Sequence, residues 1–242
     1  MLAFAGFLIR ELYINEQSRS FYASILDGIE TRPPDTPVTS PGTTPSQGGQ
    51  ENRPPVPHVP FVDFDALRER YPGVVAWIKL DGSPINYPVM HHTDNDFFLG
   101  RLPDGTKHRS GSIYLDYRNS SEFSDKSILI YGHKTHEKEM FGILENYRDK
   151  EFYEKNPVIH LYTPERDYEI VVFAVHLAHS QKDHPPLSFR NNNDFMNYIA
   201  DTKQISLIDT DVTITPEDQI VSLCTCAYDF DDARLIIVGV LR

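Results

Sequence analysis

Three side chains that together can carry out acyl transfer each stand at one end of an apolar, strand-like run. Cys226 ends one run, His133 follows a second, and Arg234 opens a third. In a site of this kind a thiolate is the nucleophile, an imidazole handles the protons and a cation stabilises the oxyanion. A hairpin that joins the runs of Cys226 and Arg234 would place the guanidinium beside the thiol. The sequence therefore predicts a cysteine-dependent acyl-transfer site.

A second cysteine, Cys224, lies two residues before Cys226. Residues two apart on a strand point to the same side of the sheet. Their β-carbons are then too far apart for an unstrained disulfide unless the backbone bends. Cys224 is either a passive small apolar residue or a trap for an oxidised Cys226. The strain of such a bridge favours the passive role.

The two cysteines could also belong to a zinc site. His133 and His136 form an H-x-x-H pair, and the two thiols would complete four ligands. Zinc sites commonly space their thiolates as C-x₂₋₄-C, whereas this chain has C-x-C, and this mismatch argues against a metal. A zinc-stabilised, non-catalytic surface domain is the alternative from a different functional class.

The composition is that of a globular protein with an acid excess. Its 242 residues include 23 Lys and Arg against 35 Asp and Glu, a formal net charge of −12. A nucleic-acid partner requires a clustered excess of basic residues, so this class of partner is excluded. Two cysteines are also too few for a disulfide scaffold.

The chain divides into three compositional zones. Residues 1–30 begin with the apolar run 1–9 and continue with helical spacing, which predicts an N-terminal helix. The apolar run is either the remnant of a membrane anchor or the start of an amphipathic helix. Residues 31–60 hold nine of the 18 prolines and form a linker, either a spacer or a tether without a specific role. Residues 61–242 form the folded domain.

The folded domain shows many short strand signals and few helices. Strands are predicted at 74–80, 85–90, 112–117, 127–131, 158–162, 168–177, 219–226 and 235–241, and helices at 64–71, 139–156 and 192–202. Strands and helices do not alternate, which argues against a doubly wound parallel sheet. The pattern indicates a mainly β fold, a closed or nearly closed barrel with inserted helices. Asp63 is expected to cap the first helix.

The chemistry-bearing residues resemble the signature of the sortase family. That signature is a TLxTC box, a downstream Arg and a strand-terminal His; here the box reads SLCTC at 222–226, Arg234 follows, and YGH ends at His133. Segments 82–89, 95–99, 109–119 and 191–202 resemble the class B branch. The resemblance covers most of 61–242. It implies a sortase-like closed eight-stranded β-barrel with inserted helices and an N-terminal helix.

The resemblance also implies an activity. A class B sortase is a cysteine transpeptidase held by an N-terminal membrane anchor on the extracellular face of a Gram-positive cell. Cys226 would attack the Thr carbonyl of an NPxT-type C-terminal sorting signal, Arg234 would hold substrate and oxyanion, and His133 would protonate the leaving amine. The thioacyl enzyme would pass to an amine of a peptidoglycan cross-bridge or lipid-linked precursor, or to a pilin lysine in a pilus-polymerising enzyme. No metal or organic cofactor is implied.

Further residues are implied in substrate binding, and some depart from the family pattern. Asn95, Leu99 and Tyr131 match pocket positions of class B enzymes, and Cys224 and Thr225 lie in the signature box. In that box, Ser222 replaces the usual Thr, and Cys224 places a second thiol beside the nucleophile. Tyr228 stands where some relatives have an acid. The acidic residues that follow it, Asp229, Asp231 and Asp232, are expected to form a solvated loop.

Overall fold

Eight strands close into one barrel in this computed structural model, which describes residues 15–26, 62–135 and 138–242. The strands are β1 (Val74–Lys79), β2 (Asn86–Met90), β3 (Ile113–Leu115), β4 (Ser127–Tyr131), β5 (Val158–Tyr162), β6 (Asp167–His179), β7 (Ile220–Cys226) and β8 (Ala233–Leu241). The helices are α1 (15–26), α2 (Phe64–Arg70), α3 (Lys150–Lys155) and α4 (Asn192–Gln204), with 3₁₀ turns at Phe98–Gly100 and Gly142–Arg148. The predicted mainly β barrel is confirmed. The predicted apolar run 1–9 and linker 31–60 lie outside the described residues.

The strand order places β4 beside the β7–β8 hairpin, which is distant from it in the chain. Around the barrel the order is β1-β2-β3-β4-β7-β8-β6-β5. β7 pairs in parallel with β4 and antiparallel with β8, so β7 is the middle of the three. Because parallel strands end at the same edge, the C-terminal ends of β4 and β7 meet where β8 begins. The site residues predicted from these three runs therefore share one edge of the barrel.

Successive side chains of β4 and β7 pack alternately into two apolar cores. Ile128 and Ile130 of β4 belong to the cluster that also contains Leu223 of β7, whereas Leu129 belongs to a second cluster. The second cluster includes Cys224 and residues of α4, so α4 covers the outer face of the sheet. Successive strand residues point to opposite faces, and both faces of β4 and β7 are buried over most of their length. The ends of these strands are therefore held from both sides.

The helices begin where side chains can satisfy free backbone N–H groups. Asp63 accepts a 2.9 Å hydrogen bond from the Ala66 N–H, as expected for the cap of α2. The predicted helix 139–156 is wrong as a single element. Residues Gly142–Arg148 form a 3₁₀ helix, and Asp149 then caps α3 by accepting from the Glu151 N–H. The extended Asp149 backbone starts a new helix rather than continuing the first.

Helix α1 packs on the barrel near the predicted site. Tyr22 and Ile25 are buried in the cluster that fills the barrel. The Tyr22 hydroxyl donates a 3.0 Å hydrogen bond to the Gly111 carbonyl. None of the helices within the described ranges is long and apolar enough to cross a membrane.

Candidate active site

Cys226 and Arg234 face each other across the hairpin that joins β7 and β8. Cys226 is the last residue of β7, and the register pairs it with Arg234, the second residue of β8. Residues paired in this way have neighbouring β-carbons and point to the same face. One Arg234 N–H donates to the Ala233 carbonyl at 2.9 Å. Because a guanidinium has five N–H donors, others can serve a ligand at the thiol.

The β4–β7 pairing brings His133 to the same edge. Tyr131, the last residue of β4, lies opposite Cys224, and the Gly132 N–H donates to the Cys224 carbonyl at 3.1 Å. His133 follows immediately. Its Nε2 lies 2.6 Å from the Leu99 carbonyl oxygen. A carbonyl can only accept, so Nε2 carries the hydrogen and Nδ1 is the ring nitrogen left to exchange protons.

Gly111 makes room for the contact between His133 and Leu99. Its φ is +54°, and a Cβ there would lie 2.5 Å from the Leu99 carbonyl oxygen and 3.0 Å from His133 Cδ2. Any larger side chain would push these two groups apart. The hydroxyl of Tyr22 holds the carbonyl of the same glycine. α1 and Gly111 thus support the imidazole from behind.

The predicted substrate-binding residues border the same groove as the catalytic candidates. One part of the groove is lined by His133, Cys226 and residues of the β7 end. The adjoining part is lined by Asn95 and the loop that follows β6. The two parts share Leu99, Tyr114, Tyr131, Cys224 and Arg234, so they form one continuous depression.

Thr225 differs from the other predicted binding residues. It also borders the groove, but its side chain is only 2% exposed, and alternation along β7 turns it to the face opposite the two cysteines. Its hydroxyl has no hydrogen-bond partner among the described residues. The side chain of Thr225 is therefore poorly placed to contact a substrate, and its main chain is the part that borders the groove.

The two thiols occupy different environments. Cys224 is 6% exposed and Cys226 is half-buried, and both are free thiols. Burial raises the pKa of Cys224 to about 12, although the nearby Arg234 opposes this rise. Cys224 therefore stays protonated at neutral pH and is a poor nucleophile.

A buried carboxylate organises the pocket wall and was missed by the sequence reasoning. The Asp116 side chain is fully buried and accepts hydrogen bonds from Asn95 Nδ2 at 3.1 Å, the Tyr131 hydroxyl at 3.0 Å and Arg118. Burial raises the pKa of Asp116, but the hydrogen bonds, led by those of Arg118, outweigh it and bring it to about 2. The one signal in the sequence is an acid within the predicted strand 112–117.

His184, from the loop after β6, contacts the same wall. Its Nε2 lies 2.8 Å from the Tyr131 hydroxyl oxygen. The structure places His184 on the rim of the groove.

One acidic residue of the loop after Cys226, which was expected to be solvated, forms an ion pair. Asp229 accepts two hydrogen bonds from Arg148, at 2.8 and 2.6 Å. This corrects the expectation for Asp229, because a bidentate pair fixes the β7–β8 loop against the 3₁₀ helix Gly142–Arg148.

Within the described ranges, no three His, Cys, Asp or Glu side chains are grouped to hold a metal ion. The zinc alternative also invoked His136, which lies outside those ranges.

Comparison with known proteins identifies the family. A family model described as a sortase domain matches residues 78–242. The chain belongs to the sortase family. The sortase B of Staphylococcus aureus is 32% identical over 178 residues, 73% of each chain, and that of Listeria monocytogenes is 34% identical over 170 residues, 69% of each chain. The predicted resemblance to class B sortases is confirmed, and the chain is a cysteine transpeptidase of this type.

Solved sortase structures share its barrel. A Staphylococcus aureus sortase B–substrate complex superposes with a TM-score of 0.70 at 30% identity, covering 74% of this chain and 84% of that chain. The Clostridium perfringens sortase B superposes with a TM-score of 0.71 at 28% identity, covering 74% of this chain and all of that chain. These neighbours agree with the closed eight-stranded barrel of this sortase.

Proposed function

We propose that this sortase cleaves an NPxT-type C-terminal sorting signal after Thr, with Cys226 as the nucleophile, and transfers the surface protein to an amine of a peptidoglycan cross-bridge or its lipid-linked precursor. The observation that supports the proposal is that the C-terminal ends of β4 and β7 and the start of β8 lie side by side. Cys226 and Arg234 are direct cross-strand neighbours, and His133 follows the parallel neighbour of β7. All three border one groove.

The first half-reaction forms a thioacyl enzyme. The Cys226 sulfur attacks the Thr carbonyl carbon while Nδ1 of His133 holds the proton of the thiol, and free N–H groups of Arg234 stabilise the negative oxygen that results. His133 then donates a proton through Nδ1 to the leaving amine, since its Nε2 is occupied by the Leu99 carbonyl. The C–N bond breaks and the C-terminal part of the signal departs.

The second half-reaction reverses these roles. The acceptor amine attacks the thioester carbon, and His133 removes the proton of the amine as the new amide forms. The C–S bond breaks, and the thiol of Cys226 is regenerated. Because one imidazole acts first as acid and then as base, the cycle requires no cofactor.

Residues of the signal upstream of Thr would lie in the part of the groove that contains Asn95. Leu99, Tyr131 and Cys224 border both parts, so they would contact the peptide as it passes. Asp116 fixes the orientation of Asn95 and Tyr131 from behind, which preorganises this wall.

The relatives from Staphylococcus aureus and Listeria monocytogenes support a place at the surface of a Gram-positive cell. In the proposed arrangement, the apolar run 1–9 belongs to a membrane anchor, residues 31–60 serve as a spacer, and residues 61–242 form the catalytic domain.

A peptide assay tests the proposal. The protein is incubated with a pool of NPxT- and LPxT-type peptides plus an amine, and products are identified by mass spectrometry beside Cys226→Ala and Cys224→Ala variants. The proposal predicts cleavage after Thr that is lost only in Cys226→Ala. Absence of cleavage for every peptide, or cleavage that survives in Cys226→Ala, would contradict it.

A further inference from the structure

The loop between β6 and α4 forms one wall of the groove and reaches the end of β4 through an imidazole. This loop comprises residues 180–191, and toward its end Leu187 and Phe189 pack against the second core. Residues 181–184 are exposed, so packing against a core does not fix the position of this run. His184, at the end of the run, borders the groove and contacts the last residue of β4. That contact determines how closely the exposed run approaches β4.

Three hydrogen-bond contacts in a row connect the buried carboxylate of the pocket wall to this loop. The Tyr131 hydroxyl oxygen lies 3.0 Å from Asp116 Oδ2 and 2.8 Å from His184 Nε2. The other ring nitrogen, Nδ1, lies 3.1 Å from the Pro185 carbonyl oxygen. The ionised carboxylate and the carbonyl can only accept, so the three contacts require three hydrogens. The tyrosine supplies one and a neutral imidazole one, so the imidazolium, with two, is the form that completes all three contacts.

The charged and titratable side chains around His184 come from several elements of the fold. Those that border the same part of the groove are Asp96, Tyr114, His179, Asp183, Cys224 and Arg234, and behind the wall Arg118 pairs with Asp116. Carboxylates and guanidinium groups keep their charges between pH 6 and 8, whereas histidine is the residue type that changes charge there. The two rings differ, because Nδ1 of His179 accepts a 3.2 Å hydrogen bond from the Gln181 N–H. His179 therefore loses a contact on protonation, whereas His184 gains one.

We propose that His184 is a positioning residue for the sorting signal: its imidazolium holds the loop after β6 against Tyr131, so that the groove binds the peptide more tightly at pH 6 than at pH 8. The inference rests on the proposed function, because upstream residues of the signal lie in this part of the groove. When the ring becomes neutral it keeps one hydrogen, and one of the three contacts is lost. His184 acts through the loop, and the reacting bonds and protons stay with Cys226, His133 and Arg234.

Peptide binding at two pH values provides the test. A rhodamine-labelled NPxT-type peptide with capped termini and Ala at x, which has no titratable side chain, is titrated into Cys226→Ala protein and followed by fluorescence anisotropy. We expect its Kd to rise about five-fold from pH 6 to pH 8, the effect of one lost hydrogen bond. When His184→Gln is added, the amide N–H can donate to the Tyr131 oxygen at either pH, so the rise should disappear.

A matched histidine separates this effect from other titrations. His160 lies on β5 with its Nε2 3.5 Å from Asp81, and His160→Gln should keep the full rise in Kd. Titration of His133 and His179 is common to all these proteins and cancels in the comparison. In the active enzyme, His184→Ala should raise the KM of the peptide about five-fold and leave kcat within about two-fold, a loss of binding without a loss of chemistry. His184→Gln should restore KM.

Hydrogen exchange in the peptide-free protein keeps the two proposals separable. Amide protection of residues 181–184, corrected for the intrinsic exchange rate at each pH, should fall from pH 6 to pH 8 in the wild type and stay constant in His184→Gln. If this difference appears and no NPxT- or LPxT-type peptide binds, the role of His184 in holding the loop is supported and the proposed function alone has failed. Equal pH dependence in the wild type and His184→Gln, in peptide binding or in exchange, would overturn the inference.

Discussion

Burial gives the two thiols of this sortase different chemistry although they share a strand face. Cys224 lies under the outer core and its pKa is raised to about 12 by that burial, so thiolate is absent there at neutral pH. Cys226 lies at the open end of β7, opposite a guanidinium. The second thiol therefore acts as a small apolar wall residue of the groove.

Replacing the second thiol should accordingly change little. We expect Cys224→Ala to retain the peptide-cleavage rate of the wild type within about three-fold, because the alanine keeps an apolar wall and removes only one buried atom. Steady-state kinetics with the cleaved peptide measures this. A loss as complete as that of Cys226→Ala would mean that Cys224 takes part in the chemistry.

Asp116, which organises the pocket wall, also makes the stability of the protein depend on pH. Its pKa is about 2 in the folded protein and 3.8 ordinarily, so the folded state favours the ionised form. The stabilisation is complete above about pH 4 and is lost as the pH falls toward 2. The shift corresponds to about 2 kcal/mol of unfolding free energy.

This predicts a pH-dependent difference between wild type and Asp116→Asn. Urea unfolding at pH 4, 3 and 2 should show the free energy of the wild type falling by about 2 kcal/mol more than that of the variant across this interval. Parallel pH profiles of the two proteins would show that Asp116 is not held ionised by its partners.

The sequence predicted the residues at strand ends but not those that support them. Cys226, His133 and Arg234 each adjoin a strand-like run. The end of such a run lies at the edge of the sheet, so residues next to it can be predicted to lie there. Asp116 and His184 are 68 residues apart in the chain and meet only at the Tyr131 hydroxyl. No local periodicity encodes a meeting of that kind, because it depends on where the loop after β6 returns.

At the scale of elements, the turn that contains Gly111 determines where the imidazole sits. Its positive φ lets the turn pass close to the Leu99 carbonyl, which in turn holds His133 Nε2. α1 reaches the same turn through the Tyr22 hydroxyl. Three segments distant in sequence thus converge behind one side chain.

Gly111→Ala should disturb this arrangement. The added Cβ would lie 2.5 Å from a backbone oxygen, so Leu99 must move and release the imidazole. We expect peptide cleavage to fall about ten-fold or more, since small displacements of catalytic groups have effects of that size. Gly105→Ala is the matched control, with a φ of +84° and no atom near its Cβ position. It should lose some stability but keep its activity; equal activity in both variants would contradict this role for Gly111.

The region 139–156 shows where element prediction failed. Its apolar spacing indicated one helix, yet the chain forms a 3₁₀ helix and then α3. The Asp149 side chain accepts from the N–H of Glu151 in the first turn of α3, so the second helix begins there. The interruption matters for the site, because Arg148, the last residue of the 3₁₀ helix, holds Asp229 of the β7–β8 loop.

For the whole molecule, two cores on opposite faces of the same strands hold the catalytic edge in place. One fills the barrel, and the other lies between α4 and the outer face of β6, β7 and β8. Composition and strand spacing were sufficient to predict the barrel, because each strand alternates or is buried on both faces. The strand order was not predictable from spacing, since β4 and β7 are brought together across almost 90 residues of chain.

The outer core should therefore contribute strongly to stability. Phe195 of α4 is 1% exposed and packs edge-on against Phe189. We expect Phe195→Ala to lower the free energy of unfolding by about 3–5 kcal/mol, the usual cost of emptying a buried aromatic site. Phe230→Ala, which truncates a residue that is 45% exposed, should cost less than about 1 kcal/mol. Similar losses in urea unfolding for both variants would mean that α4 is not part of the cooperative core.

The most direct test of the central claim is the site of the acyl intermediate. The protein is mixed with the sorting-signal peptide pool without an amine, quenched in acid, and examined by intact mass and peptide mapping. The account predicts a hydroxylamine-sensitive thioester, ending at Thr of the signal, on Cys226. An adduct on Cys224, or a peptide cleaved without any adduct at Cys226, would contradict it.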